Sequence, residues 1–399
     1  MGIVQFIRCL ILLLPVILLS TPLRINAQVA EGNNGRFEHP GVVDRLPVFY
    51  KKLTSRIDYP LSWLNGRHSD FATWRTMARK KVMESLLAAP PPVPFQAEIV
   101  AEQDRGSYTA RKIIFNVTAD SRVLALMLVP KSAGTHPAVL LLHDHGAKFD
   151  IGKEKVIAPF DEPAEKMASA QEWTKNYGGR FIGDELAKQG YVCLALDMLN
   201  WSDRAGAGAM GQQYLAANFL SLGLSYAGLI AHEDMRAAEF LSIQPEVDAK
   251  RVAAMGLSVG GFRTWQLAAL SKHIMAGVSV CWMATLKELM VPGNNQTTGQ
   301  SAYTMIHPGL AQYLDYPDVA SIACPKPMMF IGGSRDDLFP VESINGAFLK
   351  LHKVWRSQGA EDKLITKLYD APHEFNLNMQ EDAFTWLNKV FNNHQYLSN

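Results

Sequence analysis

Apolar runs at 138–142, 191–196, 251–255, 276–282, 327–331 and 364–369 are separated by stretches of helical periodicity. Short continuous runs of Val, Ile, Leu and Ala suit strands covered on both faces, and their alternation with helices suits parallel crossover connections. Ahead of them, residues 98–104, 108–117 and 122–129 alternate with period two, the middle segment around Ile113 and Phe115, and predict antiparallel strands. The expected fold is α/β: a doubly wound, mostly parallel sheet with antiparallel N-terminal strands. Sheets of this kind bind ligands beyond the carboxyl ends of their strands, so those ends are where chemistry is sought.

The chain before residue 96 reads differently. Arg8 precedes an apolar run over 9–19 broken by Pro15, and Ile25-Asn26-Ala27 closes on a small residue. The run falls short of the ~20 apolar residues of a spanning helix, so residues 1–27 read as a secretory signal peptide, with an uncleaved anchor as the alternative. The expected location is secreted or periplasmic, with no membrane attachment after signal removal. Residues 28–95 read as a helical extension in which Ser69-Asp70 caps a segment presenting Phe71, Trp74, Met77 and Ala78 on one face. Pro90-Pro91-Pro92 and Pro94 end it, because proline cannot continue a helix and biases its predecessor toward extended backbone. Residues 96–399 are then the catalytic domain. With 39 Lys+Arg against 38 Asp+Glu and no basic run, the chain lacks the electrostatic footprint of a nucleic-acid binder. If Cys9 leaves with the signal peptide, Cys193, Cys281 and Cys324 cannot form a disulfide framework, and the first two, inside apolar runs, read as small buried hydrophobes.

The chemistry concentrates around Gly256-Leu257-Ser258-Val259-Gly260-Gly261, which follows one apolar run and opens a helical stretch. A strand, a G-x-S-x-G turn and a helix form a tight elbow that exposes a serine hydroxyl at a helix N-terminus, where the amide of Val259 faces a developing oxyanion. An alcohol is a poor nucleophile, so Ser258 needs a base, and the base needs an acid to fix its tautomer. His373 directly follows an apolar strand and Pro372, which makes it the candidate base. The acid belongs at the end of the preceding strand, where Asp336 is selected and the adjacent Asp337, with Glu288 further off, are the alternatives. A second oxyanion donor is assigned to Ala147 in the loop His143-Asp144-His145-Gly146-Ala147. The competing reading of that loop is a metal site on His143 and His145; no metal and no cofactor are expected. Two long connections rise from strand ends, one holding Trp173 and Tyr177. These two, with His145 and Arg263, are candidate substrate-binding residues; core packing for the aromatics and a pairing of Arg263 with Asp144 or Asp184 are the alternatives.

The strand order, the Gly256 to Gly261 turn, the His145-Gly146 loop, Asp336 and His373 resemble an α/β-hydrolase over residues 97–395. His143-Asp144-His145-Gly146, Tyr177-Gly178-Gly179-Arg180, Gly183-Asp184-Glu185-Leu186 and Gly261-Phe262-Arg263-Thr264-Trp265 are similar to secreted bacterial proteins of the dienelactone hydrolase and acetyl xylan esterase type. The resemblance implies serine carboxylic ester hydrolysis on a small-molecule or polysaccharide ester, acetyl xylan being one example. A glucuronoyl-esterase-like or prolyl-oligopeptidase-like hydrolase is the enzymatic alternative, although the N-terminal segment is too short for a propeller. A catalytically inactive carbohydrate-binding module is the alternative from another class.

Overall fold

The strands of the main sheet are β1 (Glu98–Asp104), β2 (Tyr108–Thr118), β3 (Ser121–Pro130), β4 (His136–Leu142), β5 (Val192–Leu196), β6 (Val247–Leu257), β7 (Ala276–Val280), β8 (Met328–Gly333) and β9 (Leu364–Tyr369). They lie in the order β9-β8-β7-β6-β4-β5-β3-β2-β1. Pairing is parallel from β9 through to β5 and antiparallel from β5 through β3 and β2 to β1. The computed structural model describes residues 41–43, 46–87, 90–291, 294–295 and 300–392. The expected signal peptide over 1–27 lies outside the described residues.

Alternation along the central strands sends successive side chains to opposite faces, and both faces are buried. Ala138, Leu140, Leu142, Val252 and Ala254 enter one core layer, whereas Val139, Leu141, Ala253, Met255 and Leu257 enter the other. The first layer is covered by α1 (Phe71–Leu86), α5 (Tyr226–Ser242), α6 (Val259–Leu270) and α7 (Val341–Ser357); the second by α3 (Ile182–Lys188) and α8 (Leu377–Asn392). Two more helices, α2 (Ala164–Trp173) and α4 (Gly208–Ser221), belong to the connections that rise from strand ends.

Helix α1 starts where its cap was expected, with the Asp70 carboxylate accepting the Thr73 amide at 2.8 Å. Trp74, Ala78, Val82 and Leu86 recur at helical spacing and are at most 1% exposed within the first core layer. The segment expected as a helical extension is thus packed as part of that layer, with the Trp74 indole donating to Leu61 O at 2.7 Å.

Candidate active site

The parallel strands β6, β7, β8 and β9 end side by side, and the residues that follow them meet there. Ser258, at the turn from β6 into α6, adopts φ 59° and ψ −127°, a region that L-residues occupy only under strain. Its own amide donates to Val280 O at 2.9 Å, and its carbonyl accepts from Phe262 N at 3.0 Å to close the first turn of α6. The glycines around it are required by close approach. A Cβ on Gly260 would lie 1.9 Å from Leu142 O, one on Gly256 2.4 Å from the same oxygen, and one on Gly261 2.6 Å from Val280 O. The elbow is therefore wedged between β4 and β7, and any side chain at these three positions would push it out. Val259 supplies a first-turn amide, one of the donors that a helix start leaves without an intrahelical partner.

Beyond β8 and β9 the two loops are laced together by Ser334 N donating to Tyr369 O at 2.7 Å and Arg335 N to Ala371 O at 3.1 Å. This brings His373 Nδ1 to 2.6 Å from Asp336 Oδ2, while Asp336 Oδ1 accepts the Leu338 amide at 2.9 Å. The Asp336 side chain is 1% exposed and that of His373 23%. The Phe339 ring lies near-parallel to the imidazole, 17° between planes, with centroids 6.1 Å apart. With Nδ1 held by the acid, Nε2 is the nitrogen left to act as base. It is buried without a hydrogen-bond partner, so the acid–base half of the constellation is made here and the Ser258–His373 hydrogen bond is not. Such bonds are often long before substrate arrives. Of the other acids considered, Asp337 is exposed and Glu288 accepts from the Thr285 hydroxyl.

The loop after β4 is built on buried polar contacts. His143 accepts the Met198 amide on Nε2 at 3.1 Å and donates from Nδ1 to Asp144 O at 2.8 Å. Burial, with the Arg263 and Lys155 cations nearby, pushes its pKa well below the usual imidazole range. His145 accepts the Ala147 amide on Nδ1 at 3.0 Å, which leaves the proton on Nε2 for Gln212 Oε1 at 2.8 Å. Burial pushes the His145 pKa down to about 4. Asp144 receives the Tyr177 hydroxyl at 2.7 Å, the Trp173 indole at 3.1 Å and the Lys155 ammonium at 3.4 Å.

Several expectations are corrected by these contacts. The Ala147 amide does not stand free for an oxyanion, because its positive φ of 51° folds it back onto the His145 ring. Tyr177 is wholly buried and serves Asp144 rather than a pocket rim. Trp173 is half-buried against Gly146, where a Cβ would meet its ring at 2.2 Å, so it buttresses the loop. His145 is likewise 7% exposed, with both ring nitrogens engaged inside the protein. Arg263 pairs with neither Asp144 nor Asp184 but with Asp234 on α5, through Nε at 2.9 Å and Nη2 at 2.6 Å, and is 1% exposed. Asp184 is already taken by Arg105, Tyr108 and the Ala158 amide. Asp234 is in fact the nearest of the three acids along the chain, 29 residues away, but it sits on α5 beside His232, Glu233 and Arg236, where nothing in the sequence marks it as the partner.

One neighbour of the constellation went unnoticed. Cys281, read as a core residue, directly follows β7, and its sulfur shares a cluster with Asp336 and His373 in which ligand atoms lie within 4.8 Å of one another. Its position after the strand between those of Ser258 and Asp336 was the available signal.

Comparisons with known proteins agree with the topology. YtaP of Bacillus subtilis (strain 168), to which a hydrolase function is ascribed, is 26% identical over 289 residues, covering 72% of this chain and 90% of YtaP. Among solved structures, a Bacteroides fragilis NCTC 9343 protein with an ascribed acetyl xylan esterase function superposes with a TM-score of 0.66 at 17% identity, over 89% of this chain and 96% of its own. A glucuronoyl esterase from Solibacter usitatus gives a TM-score of 0.59 at 13% identity, over 82% and 96%. At those identities the superpositions speak for the α/β-hydrolase fold. The Abhydrolase family matches residues 41–348, and the chain belongs to that family.

Proposed function

We propose that the protein is a serine carboxylic ester hydrolase acting through an acyl-enzyme. The observation that carries this reading is the strained Ser258 elbow at the same sheet edge as a 2.6 Å Asp336–His373 pair whose outer nitrogen has no other partner. Ser258 Oγ attacks the acyl carbon as His373 Nε2 takes its proton, and the carboxylate of Asp336 holds the ring and steadies the imidazolium. The Val259 amide receives the oxyanion. Ala147 would serve as a second donor only where a substrate oxygen displaces His145 Nδ1 as the acceptor of its amide. The proton then passes to the leaving alcohol, and water repeats the sequence to free the acid.

The substrate class proposed is an acylated or esterified carbohydrate, met outside the cytoplasm if the leader is cleaved. It is supported by the fold shared with the two esterases above. Release of acetate from acetylated xylan should exceed release of methanol from a methyl glucuronate ester. The reverse ranking would move the reading to the glucuronoyl-esterase type, and no turnover of either, nor of an aryl acetate, would favour a binding module.

A further inference from the structure

Cys281 has no part in the reaction proposed above, yet it stands at the reaction's centre. It sits at φ 50° just past β7, 3% exposed, and its sulfur is one of three ligand atoms within 4.8 Å of one another, the others coming from Asp336 and His373. A thiolate sulfur, an imidazole nitrogen and a carboxylate oxygen are a donor set that Zn²⁺ takes at about 2.0–2.3 Å, with a fourth position left to water. A cation would have to displace the 2.6 Å Asp336–His373 hydrogen bond, whereas the sulfur and the outer ring nitrogen are not committed elsewhere. The thiol makes only a 3.5 Å contact to Glu374 O, and the Nε2 of His373 is buried with no partner at all. His373 reaches nearer the surface than the acid, its side chain 23% exposed against 1% for Asp336.

The second cluster of this kind among the described residues, Glu154, Asp197 and Asp203, differs in one decisive respect. The Lys153 ammonium lies 2.8 Å from Glu154, 2.8 Å from Asp197 and 2.5 Å from Asp203, and the Lys166 ammonium adds contacts at 3.0 and 2.8 Å. Two ammonium groups of the chain already stand among its three carboxylates. At Cys281, among the described residues, no lysine or arginine pairs with Asp336.

We propose that Cys281, Asp336 and His373 form a site for a soft divalent cation, Zn²⁺ or Cd²⁺, and that its occupation switches the hydrolase off. Coordination forms a metal–sulfur bond and sends the thiol proton to solvent, since a coordinating thiol is deprotonated. The carboxylate and a ring nitrogen then serve the metal, so the hydrogen bond that orients the base is lost. The site itself stands on the cluster alone; only its inhibitory effect rests on the esterase reading.

The test uses the full chain and Cd²⁺ alone. Titration of wild type should give one equivalent bound with an ultraviolet thiolate-to-cadmium charge-transfer band, and the band should persist in C193S/C324S and vanish in C281S. With an aryl acetate as substrate, the same equivalent should stop turnover, EDTA should restore it, and C281S should need at least about 10-fold more metal for the same fractional loss. No band in wild type, a band that survives C281S, or equal inhibition of wild type and C281S would overturn the proposal. Should C281S not fold, the band in C9S/C193S/C324S decides, because Cys281 is then the one thiol left in the chain. A chain that shows the band but hydrolyses no ester would sink the esterase reading and leave the metal site standing.

Discussion

Replacing Asp336 by Asn should cost the enzyme most of its rate while leaving it folded. The amide keeps the shape of the carboxyl group, and its oxygen can still accept the Leu338 amide. What changes is the 2.6 Å contact to His373 Nδ1, where a carboxylate faces the ring in a position only 1% exposed. The transition state places a positive charge on that ring. Two unit charges at about 4 Å attract by roughly 4 kcal/mol at an effective dielectric of 20, and the shorter contact here gives at least that. At 1.36 kcal/mol per factor of ten, this is about 10³ in kcat, and the wrong tautomer imposed by an amide hydrogen facing the ring adds to it, for about 10³–10⁴ in all. The control is Asp337→Asn: that side chain is exposed, so a surface effect within about 0.5 kcal/mol, or roughly twofold, is expected. The assay is kcat on an aryl acetate for both variants, with thermal melts to show that each is folded. A D336N rate within tenfold of wild type, or a D337N loss as large as that of D336N, would refute the assignment of the acid and the electrostatic reasoning behind it.

Further outcomes follow from the same structure. Gly260→Ala places a Cβ 1.9 Å from Leu142 O, where backbone must move, and should cost about 3 kcal/mol or more in urea unfolding together with loss of activity; an active variant of wild-type stability would show that the elbow is not so wedged. Trp74→Ala should destabilise the whole chain by about 3–5 kcal/mol in one cooperative transition, because that ring is fully buried in the first core layer; a separate early transition would mean that the N-terminal helix folds on its own. His307 is held neutral by burial, its pKa pushed from 6.5 down to about 4, with Nε2 at 2.5 Å from Gln266 Oε1. The unfolded chain therefore binds the extra proton between those values, so the contribution of His307 is complete above pH 6.5 and falls away as pH drops toward 4, by about 3 kcal/mol in all. The stability gap between wild type and His307→Gln should widen by that amount from pH 4 to pH 7, and a constant gap would contradict the burial argument.

How much of this was written in the sequence differs between backbone and side chains. Period-two segments and continuous apolar runs placed the strands to within a few residues, because burial on one face or two leaves a direct mark on composition. Strand β6 runs longer than its apolar core, Val247–Leu257 against 251–255, because its register against β4 is interrupted between Val247 and Val252, and Ala249 and Lys250 in that interruption are exposed and free to depart from the apolar pattern. The elbow was legible because three glycines are demanded by steric approach to Leu142 O and Val280 O, and such demands survive in sequence. Asp336 and Asp337 could not be separated with the same force, since one residue of turn geometry decides which carboxylate reaches the ring.

The loop His143-Asp144-His145 was where inference from residue type failed. Two histidines and an aspartate beside a predicted site suggest ligands, whereas here each polar atom secures a bend: Lys155 holds Asp144 O and His145 O at 3.1 and 2.9 Å, and Gln212, 67 residues away, fixes a tautomer. Contacts between residues so far apart in the chain have no local signature. Arg263 with Asp234, 29 residues away, is likewise a buried pair that joins α6 to α5 and leaves no charge for a substrate.

That Ser258 is the nucleophile is tested most directly by mass spectrometry after exposure of the folded protein to a fluorophosphonate. A single phosphonyl group on the Ser258 peptide, formed in step with loss of esterase turnover and absent from Ser258→Ala, is the result expected. An unmodified Ser258 in folded protein, or a stoichiometric adduct on another residue that accompanies the loss of turnover, would contradict it.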